Sequence, residues 1–113
     1  MGEISRTNRS GTFYYDPTWT YLHRENDLPA IEYANGDLVW YQYGEYHREG
    51  DKPARISDNG QDQEWWFEGK LHRLTGPAWI NTKSDPPIEN FFIHGEIYSR
   101  EDFYKVIKLK HFL

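Results

Sequence analysis

The sequence predicts a mainly β protein, an antiparallel meander of repeated β-hairpins closed by a short C-terminal α-helix. Three observations carry that expectation. A series of landmarks, Trp65-x3-Gly69-x2-His72-Arg73 followed by Pro77-Ala78, has already passed once as Trp40-x3-Gly44-x2-His47-Arg48 with Pro53-Ala54. Within the copies, Asn35-Gly36 and Asn59-Gly60 stand between strand-like runs, the strongest short hairpin signal because a type I′ turn needs positive φ at both central residues. The last fifteen residues then change from strand-like to helical spacing. The His-Arg landmarks recur after 24 and then 25 residues. A unit of that length with two strands cannot bury its aromatic face alone and must stack on its neighbour.

Along the chain, residues 1–10 are polar and without periodicity and read as a flexible lead-in. Gly11 to Tyr15 has strong strand propensity, and Asp16-Pro17-Thr18 has the composition of a turn. His23-Arg24 with Pro29-Ala30 is a partial first copy, the usual condition of a terminal unit. Two full copies follow, and the extra residue of the second is placed in the Asn59-Gly60 region. A third opens with Pro77-Ala78, but its turn has become Lys83-Ser84-Asp85-Pro86-Pro87, where two prolines forbid a tight ladder and a wider loop is expected. It closes with Phe91-x3-Gly95, and Tyr98 stands where the other copies have histidine. Gly44, Gly69 and Gly95 mark hairpin corners. Ser99 is a good N-cap, with Asp102 near the capping-box position, and Phe103, Val106 and Ile107 share one helical face. The organisation expected is a lead-in over 1–10, a repeat sheet over 11–98 and a helix over 99–113 that covers the open end of the sheet.

Composition narrows the function classes. The chain has 113 residues, one domain's length, and is only 37% apolar, but it holds five Trp, nine Tyr and six Phe. Aromatic layers rather than an aliphatic core must hold it together. Net charge is −5, with +2 on residues 99–113 (four Lys/Arg against two Asp/Glu) and therefore −7 on residues 1–98. That argues against nucleic acid as the partner and suits solubility or a basic partner. No cysteine is present, which excludes disulfide and thiolate chemistry. No apolar run reaches the ~20 residues of a membrane span, and the start lacks the apolar core of a secretory signal, so a cytoplasmic protein is expected.

The pattern W-x3-G-x2-HR-x3/4-PA with Asn-Gly turns, over about residues 19–103, resembles the MORN-type repeats. It is closest to the His-Arg and Gly-Pro-Ala variant found in large bacteriophages and giant viruses. Leu28 and Lys52 depart from it, standing where the variant has the glycine that Gly76 keeps. The resemblance implies a scaffold or protein-binding surface. If the viral likeness holds, it implies an accessory protein in the host cytoplasm that binds and inhibits a host defence or nucleic-acid-processing protein.

Side-chain chemistry agrees with a non-catalytic reading. His23, His47 and His72 recur, but equivalent positions two strands apart lie roughly 9–10 Å from one another, too far to share one metal ion at ~2 Å bonds. A structural role is expected for them and for Arg24, Arg48 and Arg73: bonds to turn carbonyls and to acids such as Glu25, Glu49 and Asp51, with arginine lying on aromatic faces. No cofactor is implied, and no phosphate loop or triad ordering occurs. Glu64 and Glu32 beside aromatic residues are the candidates for a small hydrolase or lyase, but nothing pairs them at a defined spacing. The aromatic pairs Trp40-Tyr41, Trp65-Trp66 and Phe91-Phe92 are the sharper signal. Neighbours on a strand face opposite ways, so one column packs inward and the other, Tyr41, Trp66 and Phe92, lines the outside as a candidate binding face. The competing expectation is a structural, self-assembling module that dimerises through open sheet edges.

Overall fold

Alternation along each strand and the turn residues between strands do build a meander. The computed structural model describes residues 3–111. The strands are β1 (Ile4–Asn8), β2 (Gly11–Tyr15), β3 (Ile31–Tyr33), β4 (Leu38–Val39), β5 (Tyr41–Gln42), β6 (Glu45–Tyr46) and β7 (Arg55–Ser57). After them come β8 (Asp62–Glu64), β9 (Trp66–Phe67), β10 (Lys70–Leu71), β11 (Trp79–Asn81), β12 (Ile88–Ile93) and β13 (Glu96–Tyr98), then helix α1 (Arg100–His111). Nine strands form one antiparallel sheet in the order β1-β2-β3-β4-β7-β8-β11-β12-β13. The pairs β5–β6 and β9–β10 are short side ladders, because β4 and β5 are one strand interrupted at Trp40, and β8 and β9 one strand interrupted at Trp65. The whole is a slab of 46 × 36 × 18 Å.

The thinness follows from how the core is made. Tyr14, Trp40 and Trp65 each donate their backbone N–H to the carbonyl of Ala30, Ala54 and Ala78, at 2.7–2.8 Å. Ala30, Ala54 and Ala78 in turn donate to Val39, Glu64 and Asn90. One row across the sheet therefore reads Tyr14, Ala30, Trp40, Ala54, Trp65, Ala78, Phe91. Large rings alternate with methyl groups, so each ring has room to lie over its neighbours, and the three alanines are fully buried. This row is the main buried layer on its face of the sheet, and Ile31 and Val39 are buried on the other.

The lead-in needs correction. Residues 4–8 form β1, paired with β2 from Ile4↔Tyr15 to Asn8↔Gly11. Backbone pairing does not require apolar side chains, and the polar run Ser5-Arg6-Thr7 suits an edge strand. The turns also differ from expectation. At Asn35-Gly36 only Gly36 has positive φ; Tyr33 and Asp37 close a three-residue loop, and the Asn35 side chain accepts from the Asp37 N–H. Positive φ at two successive residues does occur at the expected Asn59-Gly60, and also at Tyr43-Gly44, Glu68-Gly69 and His94-Gly95, the hairpin tips. Around Asn59, three successive residues, Asp58 to Gly60, take positive φ. The double-proline segment makes the expected wide loop between β11 and β12.

Helix α1 begins as the sequence indicates, with Asp102 N–H donating to Ser99 Oγ at 3.1 Å. Phe103 is fully buried and, with Val106 and Ile107, packs on Phe91 and Ile93. The helix thus lies where the loop of a further repeat would cover the last aromatic of the row. Residues 1–2 of the expected lead-in and 112–113 of the expected helix lie outside the described residues. Among the described residues no helix is long and apolar enough to cross a membrane.

Candidate functional site

The His-Arg landmarks close each unit onto the next. Arg24 lies over the ring of Tyr14 (3.6 Å to the centroid), Arg48 over Trp40 (3.8 Å) and Arg73 over Trp65 (3.9 Å). Each guanidinium then donates Nη1 to the carbonyl of the proline that precedes the buried alanine: Pro29, Pro53 and Pro77. Each donates Nε to an acid about 21 residues upstream: Glu3, Asp27 and Asp51. A planar fork with five donors can do all three at once; an ammonium could not. The acids respond. Arg48 first, with Lys52, holds the Asp27 carboxyl down at about 2. Burial opposes ionisation of Asp51, but the Thr75 hydroxyl and Arg73 still keep its carboxyl below the usual range.

The histidines do the complementary job. Nδ1 of His23, His47 and His72 accepts the backbone N–H of Tyr43, Glu68 and His94, the first residue of the next unit's hairpin tip. Since that N–H can only donate, the ring proton sits on Nε2, which in His23 and His47 is donated to Glu25 and Glu49 at 2.7 and 2.9 Å. The glycine that follows, Gly44, Gly69 or Gly95, donates its N–H back to Leu22, Tyr46 or Leu71. A residue with positive φ followed by glycine turns both N–H groups toward the preceding unit, which explains the Gly-x2-His-Arg spacing. These landmarks account for Arg24, Arg48 and Arg73 on the sheet's inner side as structural groups.

The outer column is a separate surface. The buried members of the aromatic pairs are Trp40, Trp65 and Phe91; Tyr41, Trp66 and Phe92 lie on the opposite face and stay partly exposed. Pairing sets them in one row with their partners, Tyr41↔Tyr46, Trp66↔Leu71 and Phe92↔Ile97. Tyr41 stacks on Tyr46 and Tyr46 on Trp66, both at 4.7 Å between centroids and within 27° of parallel. Tyr46 was missed by sequence reading, because it sits beside no second aromatic; its i−1 neighbour is glutamate, and only the hairpin brings it between the other two. Burial first, and then its hydroxyl bond with Tyr46, raises the Tyr41 hydroxyl above its ordinary range. Phe92 continues the row without a ring contact to Trp66.

Polar groups fix this column. Glu64 accepts Trp66 Nε1 at 2.8 Å and Arg55 Nη1 at 3.1 Å, and its side chain is 13% exposed. Trp79 Nε1 donates to Asp62 at 2.9 Å. Glu32, the other carboxylate candidate, accepts from Tyr14 and Arg24. Register places Glu32 on the face of Tyr14 and Glu64 on the face of Trp66, so the structure does not bring the two acids together.

Comparisons with known proteins add little to this geometry. No family model matches the chain, and no solved structure matches it. A curated protein of Caenorhabditis elegans named "Putative glucosylceramidase 1" is 29% identical over 77 residues. That match covers 63% of this chain, and the chain spans 14% of that protein.

Proposed function

We propose that this chain is a non-catalytic protein-binding module that presents Tyr41, Trp66 and Phe92 as its contact column. The observation that carries the reading is the Tyr41–Tyr46–Trp66 stack with Arg55 at its side. Tyr, Trp and Arg held rigid and partly exposed are the residues that dominate protein interfaces. The stacking also speaks to ligand type. Tyr46, stacked between Tyr41 and Trp66, offers its edge rather than a free face, and the column as a whole mixes ring surface with hydroxyl and indole groups, which suits the mixed surface of a polypeptide. A hydrolase reading, to which the name of the nematode protein points, needs two carboxylates across one site, about 5–9.5 Å apart. Glu64 and Glu32 lie on opposite faces, each already engaged. Following the likeness to the viral repeat variant, the partner we propose is a host defence or nucleic-acid-processing protein, bound and inhibited in the cytoplasm.

Affinity capture with wild type and Trp66→Ala, both checked for folding by circular dichroism, tests the reading. Recovery of one protein by wild type and its loss with Trp66→Ala is the result expected. Recovery of the same protein by both would remove the outer column from the account. A defined oligomer with no captured protein would favour the self-assembling module instead.

A further inference from the structure

Two Asn-Gly dipeptides stand in this chain, Asn35-Gly36 and Asn59-Gly60, and the fold treats their side chains differently. The latent chemistry is the same at both. Glycine has no side chain to shield its backbone nitrogen, so that nitrogen can attack the carboxamide carbon of the asparagine before it. Neither glycine is crowded: a methyl group placed on Gly36 or Gly60 would meet nothing within 4 Å. The difference lies in the asparagines. The Asn35 side chain is tied at both polar atoms to one residue, Oδ1 accepting the Asp37 N–H at 3.0 Å and Nδ2 donating to Asp37 Oδ2 at 3.3 Å. Asn59 is exposed, and among the described residues its side chain has no hydrogen-bond partner. Its backbone is left-handed, φ 57° and ψ 34°, between Asp58 at φ 52° and Gly60 at φ 87°. That conformation is uphill for an L-residue, and here the side chain does nothing to hold it.

We propose that Asn59 is a self-modification site, converting to aspartate and isoaspartate in the folded protein while Asn35 is spared. Gly60 N forms a bond to Asn59 Cγ, the Cγ–Nδ2 bond breaks, and the amide proton of Gly60 leaves with Nδ2 as ammonia. The cyclic imide that results takes up one water. Opening at Cγ gives aspartate; opening at the backbone carbonyl gives isoaspartate, in which the chain runs through the former side chain. Water is the only co-reactant. For the attack, Asn59 must turn about its Cα–C bond, out of ψ 34°, and bring its carboxamide over Gly60 N. That motion breaks no side-chain hydrogen bond of Asn59 and leaves an uphill conformation, whereas Asn35 must first give up two bonds. Two bonds span the tip, Gln61 N–H to Asp58 O and Gln63 Nε2 to Gly60 O, both at 3.1 Å, and neither involves the Asn59 side chain. The product adds a negative charge beside Asp58, whose carboxylate pairs with Lys83 at 3.6 Å. Isoaspartate also adds a methylene to the backbone between β7 and β8, the strands that carry Arg55 and Glu64. The inference rests on this loop alone and not on what the outer column binds.

Trypsin separates the two dipeptides, since cleavage after Arg24, Arg48, Arg55 and Lys70 places Asn35 in peptide 25–48 and Asn59 in peptide 56–70. The folded chain is held in mildly alkaline buffer and sampled over weeks, and the conversion of amide to acid at each site is read by mass spectrometry of those peptides. A parallel sample is held in enough urea to unfold it. In the folded protein Asn59 is expected to convert at least about tenfold faster than Asn35, whose two bonds must break first. In urea the two rates should draw together, because both sites then react as unstructured Asn-Gly. Equal rates in the folded protein, faster loss of Asn35, a rate ratio that urea leaves unchanged, or no conversion of folded Asn59 while the urea sample converts would each overturn the proposal.

Discussion

Around Trp40 and Trp65 the aromatic row is closed by a guanidinium; around Phe91 it is closed by a hydrocarbon. Arg48 and Arg73 are 14% and 19% exposed, bonded on three sides, and sit less than 4 Å from their rings. In the last unit Ser99 stands at the arginine position, and Arg100, one residue on, is 63% exposed and 5.2 Å from the Phe91 ring. Phe103 takes over its work, with its centroid 4.8 Å from Phe91. The difference teaches where the repeat stops. An arginine layer needs a carbonyl from the following loop and an acid from the preceding one. Helix α1 rather than a loop follows the last described hairpin, so a buried charge there would lack those partners, and phenylalanine on the helix covers the ring instead. The first unit shows the converse: Arg24 is paired by Glu3, just before β1, where Arg48 and Arg73 use the loop acids Asp27 and Asp51.

That contrast can be broken in graded steps. Trp40→Ala and Phe103→Ala should each cost about 3–5 kcal/mol. The first should raise hydrogen exchange on both sides of the row, and the second should raise it only in β12, β13 and α1. Arg48→Ala should cost about 1–3 kcal/mol in urea unfolding, since it removes a ring contact, a bond to Pro53 and a partner of Asp27 together. Arg100→Ala, exposed and singly bonded, should stay within about 0.5 kcal/mol.

The fold was legible in the repeat spacing because that spacing is backbone geometry. Gly-x2-His-Arg fixes a hairpin tip, an imidazole acceptor and a ring-stacked guanidinium in order, and Arg24, Arg48 and Arg73 each lie over an aromatic ring and bond a proline carbonyl. The alternation of Trp40 with Tyr41 likewise separated a buried column from an outer one. Other features were out of reach. Strand β1 is polar, and its reason to form is the free edge of β2, which no local pattern announces. The place of Tyr46 depends on the hairpin that returns it beside Tyr41. Asn35-Gly36 misled because the Asn35 side chain bonds Asp37 and keeps Asn35 itself at negative φ.

Smaller effects sharpen the comparison. His47→Ala removes the acceptor of the Glu68 N–H at 2.9 Å and should cost about 1 kcal/mol. Tyr98→His should change stability by less than about 0.5 kcal/mol, because helix α1 rather than a hairpin tip follows it. Acid should act on the inter-unit bonds. The folded-state carboxyl of Asp27 is depressed to about 2 from 3.8, so its contribution is complete above about pH 4 and fades as pH falls toward 2. With Asp27 40% exposed the effect is small, under about 1 kcal/mol, and Asp27→Asn should flatten the acid limb of a stability profile by that amount.

Trp65 and Trp66 test the division between faces most directly, because they are adjacent in sequence and differ only in the way they point. The decisive measurement is equilibrium unfolding in urea of Trp65→Ala and Trp66→Ala side by side. Trp65→Ala should lose about 3–5 kcal/mol. Trp66→Ala should lose no more than about half as much, since it gives up one stack, one hydrogen bond and partial burial. Equal losses would mean that the outer column is a second core, and the separation of a folding face from a binding face would be wrong.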